Sequence, residues 1–110
     1  MKPQKYLNIA AETYDAKSKV YGDNYKMIGK VLEALFPDGL KLKGEDDFNR
    51  FHLFLLSLVK KTRYAVNFDD GGHEDSVLDD IVYLAMLQEV DADANATFKT
   101  SGKKKDNKDD

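Results

Sequence analysis

The chain has 110 residues, 42% of them hydrophobic and 34% charged, which suits one globular domain and argues against general disorder. Seventeen Lys and Arg against twenty Asp and Glu give a net charge of −3, so no global positive field can hold duplex nucleic acid. The absence of cysteine excludes disulfides, thiolate catalysis and cysteine-ligated metals. Since the N-terminus is polar and no apolar stretch approaches a membrane span, we expect a cytoplasmic protein without membrane contact.

Apolar residues recur at helical spacing through the first 36 residues and predict two helices. The first helix covers roughly residues 4–20 and ends at Gly22. Asp23 or Asn24 can cap the second helix, which ends before Pro37. A loop over residues 37–44 follows, because Pro37 and two glycines are turn formers.

Two further helices are predicted in the second half of the chain. The third begins near Glu45 and ends between Tyr64 and Asn67. Its segment 51–59 is apolar nearly all round, which is typical of a helix that is central or lies in a subunit interface. A loop with two adjacent glycines separates it from the last helix, which begins near Glu74 and ends at residues 90–92.

These helices predict an all-α protein, an antiparallel four-helix bundle formed by residues 1–92. Because so small a core is marginal alone, we expect completion by homo-oligomerisation, with a dimer as the simplest case. Residues 93–110 are predicted to be a disordered charged tail. A solubilising role is favoured for this tail over a weak electrostatic contact with nucleic acid.

The last helix carries an acidic stripe beside its expected core face. Its helical phase assigns five residues to the core: Val77, Leu78, Ile81, Leu84 and Ala85. Asp75, Asp79 and Tyr83 form a neighbouring stripe. Two carboxylates four residues apart repel each other unless water solvates them or a cation lies between them, and this spacing suits Mg²⁺. The alternative is an acidic helix start with a solvated edge.

The C-terminal end of the third helix carries Lys60 and Arg63 one turn apart. If the third and last helices pack antiparallel, these cations lie near Asp75. They could bind phosphate, with Arg63 as a bidentate donor. The slightly favoured alternative is structural: these cations interact with the negative end of the helix dipole at the C-terminus of the third helix, or they form salt bridges with Asp75 and Asp79.

Two loops offer weaker signals. The two glycines before His73 would allow a ligand to approach the backbone, and His73 could be a ligand-binding group, a base or an N-terminal cap, the last being favoured. Tyr21 and Tyr25 flank a tight turn, where they could stack on a base. Packing of the first two helices against each other is the favoured interpretation of this tyrosine pair.

Three segments resemble the nucleotide modification associated domain family of small helical phage proteins. They are Tyr-Gly-Asp-Asn-Tyr at residues 21–25, Lys-Lys-Thr-Arg-Tyr at 60–64 and His-Glu-Asp-Ser-Val-Leu-Asp-Asp-Ile-Val-Tyr at 73–83. The resemblance covers roughly residues 10–90. It implies a small all-α, nucleotide-related protein of a phage, acting in the host cytoplasm.

That family is distantly similar to the all-α nucleoside triphosphate pyrophosphohydrolases of the MazG and dimeric dUTPase kind. Those enzymes bind Mg²⁺ through Glu-Glu-x-x-Glu on one helix and Glu-x-x-Asp on a later one. This chain contains no Glu-Glu-x-x-Glu, and only Asp75 and Asp79 correspond to the later motif. Half of the metal site therefore has no counterpart here.

The sequence thus predicts a phage-type nucleotide-binding protein, with the ligand in a crevice between the third and last helices. Asp75 and Asp79 would bind Mg²⁺, and the predicted ligand-binding residues are Lys60, Arg63, Tyr21, Tyr25, His73 and Tyr83. In a Mg²⁺-dependent pyrophosphohydrolase, Glu74 would be the general base. The alternatives are a non-catalytic protein that sequesters or senses a nucleotide, for example in counter-defence, and a protein–protein inhibitor with an acidic surface.

Overall fold

A computed structural model describes residues 2–22 and 24–100, with side chains described as far as Asn95, and the regular structure in this part is helical throughout. The all-α class is therefore confirmed. The elements are α1 (Pro3–Tyr21), α2 (Asn24–Leu35), α3 (Gly44–Val66), a single 3-10 turn (Phe68–Asp70) and α4 (Glu74–Thr100). Within the described residues, no helix is both long and apolar enough to cross a membrane.

Local chemistry explains where the first helices begin and end. Pro3 occupies the start of α1, where its missing N–H costs no hydrogen bond and its fixed φ suits a helix. Gly22 ends α1 with φ +60°, and its N–H donates to the Ser18 carbonyl over 2.9 Å. Pro37 follows the end of α2, since a proline ring cannot continue a helix.

Helices α3 and α4 are antiparallel and form the most extensive contact in the described chain. Three ion pairs join them: Arg50–Asp91, Lys60–Asp79 and Lys61–Asp80. The pair near the start of α3 lies far along α4, and the two pairs near the end of α3 lie near the start of α4, as antiparallel packing requires. Helices α1 and α2 also pack on α3. The apolar third helix is therefore central, one of the two positions predicted from its composition.

The hydrophobic core of this part of the chain is small. Leu53 and Leu58, both on α3, are its buried hydrophobic side chains, at 6% and 9% exposure. The radius of gyration is 18.4 Å, against about 13 Å for a compact domain of this length. Large apolar side chains of α1 and α4 are exposed in the single chain, so these helices leave apolar faces uncovered. Closure of four helices into a bundle and its completion by oligomerisation stay predictions.

The face of α4 that packs on α3 is not the predicted one. Val77, Leu78, Ile81, Leu84 and Ala85, expected in the core, are all exposed in the single chain. The residues on the α3 side are instead Ser76, Asp80, Tyr83, Leu87 and Val90, which are buried or half-buried at alternating spacings of four and three. The prediction was wrong because the polar members of this face have partners: Ser76 contacts His73, and Asp80 pairs with Lys61.

Helix α4 is also longer than predicted. It continues past residue 92 to Thr100, so residues 93–100 are helical where the sequence predicted the beginning of a disordered tail. Alanines at 92, 94 and 96 favour continuation of the helix. The rest of the predicted tail, residues 101–110, lies outside the described residues.

Candidate ligand-binding site

A cavity of about 410 Å³ lies between the C-terminal half of α1, the first turns of α2 and the last turns of α3. We call it the Tyr21 cavity. Its apolar side is formed by Ile28, Leu55 and Val59. Its polar and aromatic lining includes Tyr14, Lys17, Ser18, Tyr21, Asn24, Tyr25 and Arg63. A volume of this size is within the range of about 300–1,000 Å³ typical of small-molecule sites.

The turn between α1 and α2 assembles this lining. Lys17 and Tyr21 are four residues apart, so they lie on one face of α1. Gly22 ends α1 with a positive φ, and Asn24 and Tyr25 at the start of α2 line the same cavity. The glycine of the Tyr-Gly-Asp segment therefore has a structural role in forming the cavity, whereas Asp23 lies outside the described residues.

Arg63 is the principal cation of the cavity. Its guanidinium carbon lies 4.5 Å from the centroid of the Tyr21 ring, in a cation–π contact. Its Nε is buried and has no hydrogen-bond partner among the described residues. Lys17 lies 5.9 Å from the same ring. The described lining contains no carboxylate, so the cavity is locally positive in a chain of net negative charge.

Asn24 presents a second unpaired polar atom. Its side chain is 7% exposed, and its Oδ1 has no hydrogen-bond partner within the described part of the chain. A buried polar atom without a partner costs roughly 1–3 kcal/mol, and native proteins keep few of them. Asn24 Oδ1 and Arg63 Nε are therefore an acceptor and a donor without partners in the described chain, on two side chains that line the same cavity.

The two tyrosines predicted to stack on a base differ in their surroundings. Tyr21 is half-buried: Arg63 covers its ring, and His73 meets it edge to face at 5.8 Å between ring centroids. Tyr25 is 64% exposed, and the Lys26 ammonium lies 5.9 Å from its ring centroid. Tyr21 is thus a packed ring that positions Arg63, and Tyr25 is the ring whose surface remains accessible.

His73 lies at the start of α4, where its contacts are those of a helix N-terminus. Its Nδ1 is 2.6 Å from the Oγ of the buried Ser76, and its carbonyl accepts from the N–H groups of Ser76 and Val77. Gly71 and Gly72, which precede His73, have positive φ and form the turn before α4. A Cβ on Gly72 would lie 2.5 Å from the Tyr64 ring, so this glycine allows Tyr64 to pack against the backbone.

The predicted phosphate and metal groups lie elsewhere. The Lys60 ammonium is 3.0 Å from Asp79 Oδ2, the salt bridge that was the alternative interpretation of these charges. Asp75 and Glu74 are exposed in the first turn of α4, and Tyr83 is half-buried on the same helix. None of these five residues lines the Tyr21 cavity. The structure therefore brings Tyr21, Tyr25 and Arg63 together and separates them from the acidic stripe.

The acidic stripe fits a resident metal poorly. Among the described residues, no group of three or more His, Asp or Glu side chains is placed to hold a metal ion. One oxygen of Asp79 already pairs with the Lys60 ammonium, which competes with a metal cation for this carboxylate. The Mg²⁺ hypothesis for Asp75 and Asp79 stays a prediction.

Several lining residues of the cavity were not among the predicted ligand-binding residues, and Lys17 and Asn24 are the two whose polar groups matter most here. Lys17 interrupts the apolar stripe of α1, a signal that the helical spacing contained. Asn24 was considered as a helix cap, and its burial depends on packing that the spacing of residues does not reveal.

Comparison with protein-family models, curated proteins and solved structures finds no match to this chain. The similarity to the nucleotide modification associated domain family therefore rests on its three short segments. Two of their residues, Tyr21 and Arg63, contact each other in the structure.

Proposed function

We propose that this protein binds a nucleotide or a nucleotide-like ligand, with an aromatic base and a phosphate, in the Tyr21 cavity. The observation that carries the proposal is Arg63: it is held on the Tyr21 ring at 4.5 Å, and its buried Nε lacks a partner in the described chain. A guanidinium so placed is oriented in advance for an anionic oxygen.

The rest of the lining matches the parts of such a ligand. Lys17 supplies a second positive charge toward phosphate. The exposed Tyr25 ring can stack on a base, a contact worth about 1–3 kcal/mol. Asn24 Oδ1 is an acceptor suited to an amino or ring N–H group of the base. Ile28, Leu55 and Val59 beside these groups offer the base an apolar surface to pack against.

We propose binding without hydrolysis as the primary activity. The cavity lining contains neither Glu74 nor the Asp75/Asp79 pair, so the groups needed to activate water are not part of it. A Mg²⁺-dependent pyrophosphohydrolase, which the family resemblance implied, is the alternative that the experiment below separates. We also propose that the functional form is a homo-oligomer, because the single chain leaves many apolar side chains exposed.

Isothermal titration calorimetry with nucleoside mono-, di- and triphosphates, each with and without Mg²⁺, tests this proposal. We expect at least one nucleotide to bind without Mg²⁺. Arg63→Ala should weaken that binding by about 10- to 100-fold, because a charge-assisted hydrogen bond contributes roughly 1.5–3 kcal/mol. The chain has one other arginine, Arg50, which pairs with Asp47 and Asp91 away from the cavity. Arg50→Ala is the matched control and should retain affinity.

Two results would contradict the proposal. No heat of binding with any nucleotide would remove the ligand class. The second is product formation that requires Mg²⁺, is lost in Asp79→Asn and is kept in Arg63→Ala. That result would show that the functional site is the acidic stripe. Circular dichroism of each variant checks that the fold is intact.

A further inference from the structure

His73 is a predicted ligand-binding residue that does not line the Tyr21 cavity. It nevertheless contacts a residue that does. Its ring meets the Tyr21 ring edge to face, with 5.8 Å between the centroids and an angle of 76° between the ring planes. The same Tyr21 ring carries the Arg63 guanidinium at 4.5 Å. Tyr21 is therefore the middle member of a continuous contact that leads from the residue before α4 to the principal cation of the cavity.

The His73 ring is anchored from the α4 side. Its Nδ1 lies 2.6 Å from the Oγ of Ser76, which is only 1% exposed on the side of α4 that packs on α3. The His73 carbonyl accepts from two N–H groups in the first turn of α4. The preceding Gly72 packs closely against the ring of Tyr64 on α3. These contacts fix the position of His73 relative to α3, the helix that carries Arg63.

Helix α1, which carries Tyr21, is held less firmly. None of its residues is buried, so burial alone does not fix where the Tyr21 ring lies. Lys17, the other cation near this ring, belongs to the same helix and moves with it. The contacts with Arg63 and His73 join the ring to the rest of the fold. An edge-to-face aromatic pair and a cation–π contact are of similar strength, so the loss of either should release Tyr21.

The two contacts of the His73 side chain make different demands on it. The contact with Ser76 needs a polar atom, and Ser, Thr, Asp and Asn are the usual polar residues at a helix N-terminus. The contact with Tyr21 needs an aromatic ring. A residue that served only the start of α4 would need no ring, so the ring of His73 calls for a second role.

We propose that His73 is a positioning residue of the ligand-binding site: its ring holds Tyr21 against Arg63, so that the guanidinium is oriented before the ligand arrives. Ordering Arg63 in advance reduces the conformational entropy that binding would otherwise lose. The His73 ring therefore raises affinity without touching the ligand. This inference rests on the proposed nucleotide binding in the Tyr21 cavity and assigns a role to a residue outside its lining.

Two substitutions separate the ring of His73 from its polar atom. His73→Asn keeps a polar group for Ser76 and removes the ring, and it should weaken the binding of the tightest nucleotide by about 3- to 10-fold in isothermal titration calorimetry. His73→Phe keeps a ring and should retain the affinity, but its thermal midpoint should fall because the buried Ser76 hydroxyl loses its partner. His52→Asn is the matched control, since the other histidine of the chain is exposed on α3 outside the cavity lining and should change neither quantity.

An NMR measurement without ligand reports the positioning directly. Protons above the face of an aromatic ring resonate upfield, so the side-chain protons of Arg63 should lie upfield of those of Arg50, the other arginine of the chain. We expect His73→Asn to lose most of this upfield shift and His73→Phe to keep it. Circular dichroism checks that both variants retain the helical fold.

Three results would overturn the positioning role. The first is an upfield shift of Arg63 that persists in His73→Asn. The second is equal loss of nucleotide affinity in His73→Asn and His73→Phe, which would mean that the imidazole nitrogen acts on the ligand. The third is the absence of any upfield shift in the natural chain. A natural chain that shows the shift but binds no nucleotide would contradict the proposed function instead, and the comparison of the two variants would still decide whether His73 holds Tyr21 against Arg63.

Discussion

The two sides of α3 treat their polar groups differently. On the α4 side each charged side chain has an opposite charge, Lys60 with Asp79 and Lys61 with Asp80 at 3.0 and 2.7 Å, although the second oxygen of Asp80, Oδ1, is buried without a hydrogen-bond partner in the described chain. On the side of α1 and α2, Arg63 Nε and Asn24 Oδ1 are buried without partners among the described residues. The paired charges hold α3 and α4 together. Unpaired polar atoms on side chains that line a cavity instead suggest that a ligand supplies their partners.

The largest expected effect is on the packing of α3. Leu53→Ala removes a side chain that is 6% exposed and should lower the free energy of unfolding by about 2–5 kcal/mol, through lost burial and the cavity left behind. Leu35→Ala is the control, because Leu35 is 52% exposed and its loss should cost less than about 1 kcal/mol. Urea denaturation at one fixed protein concentration measures both. Equal costs would show that α3 is not the centre of the core.

An intermediate effect is expected in the turn before α4. Gly72→Ala combines φ +87° with a Cβ 2.5 Å from the Tyr64 ring and should destabilise by roughly 2–4 kcal/mol. Gly71→Ala also has positive φ, +100°, but nothing lies within 4 Å of its Cβ, so backbone strain alone, about 1 kcal/mol, should apply. Thermal unfolding compares the pair. A Gly72 variant as stable as the Gly71 variant would contradict the packing of Tyr64 against this backbone.

The smallest effect concerns the ion pairs of α3 and α4. The Lys60 side chain is 14% exposed, whereas both members of the Arg50–Asp91 pair are more than 40% exposed. Double-mutant cycles should give the Lys60–Asp79 pair the larger coupling energy, with the exposed pair at about 0.2–1 kcal/mol. The cycles use Lys60→Met with Asp79→Asn, and Arg50→Met with Asp91→Asn. The reverse order would mean that burial does not strengthen this contact.

The bounds of α1 to α3 were predictable from the sequence within one or two residues. Glycine and proline punctuate those segments, and their effects on backbone conformation are local. The end of α4 was harder to predict because the sequence beyond residue 92 contains no proline and no glycine until Gly102, so its polar composition was interpreted as the start of a tail. Polar composition alone therefore did not indicate where this helix ends.

The packed face of α4 and the extent of the site were not predictable in the same way. Periodicity placed the more apolar side of α4 inward, but Ser76 and Asp80 face α3, where Ser76 contacts His73 and one oxygen of Asp80 accepts from Lys61. The partner of Asp80 lies on α3, so the spacing of residues along α4 alone does not predict this contact. Arg63, Tyr21 and Tyr25 were identified as candidates, yet their separation from Asp75 and Asp79 depends on how the α1–α2 turn meets α3.

The positive lining of the Tyr21 cavity within a chain of net charge −3 has a kinetic consequence. At physiological salt the screening length is about 8 Å, so an anion at the cavity mouth senses mainly Lys17 and Arg63, and the net charge of the chain acts on more distant anions chiefly at low salt. The attraction inside that distance grows with the number of negative charges on the ligand. Raising ionic strength should therefore slow the arrival of a triphosphate more than that of a monophosphate, so the distribution of charge acts as a filter on entry.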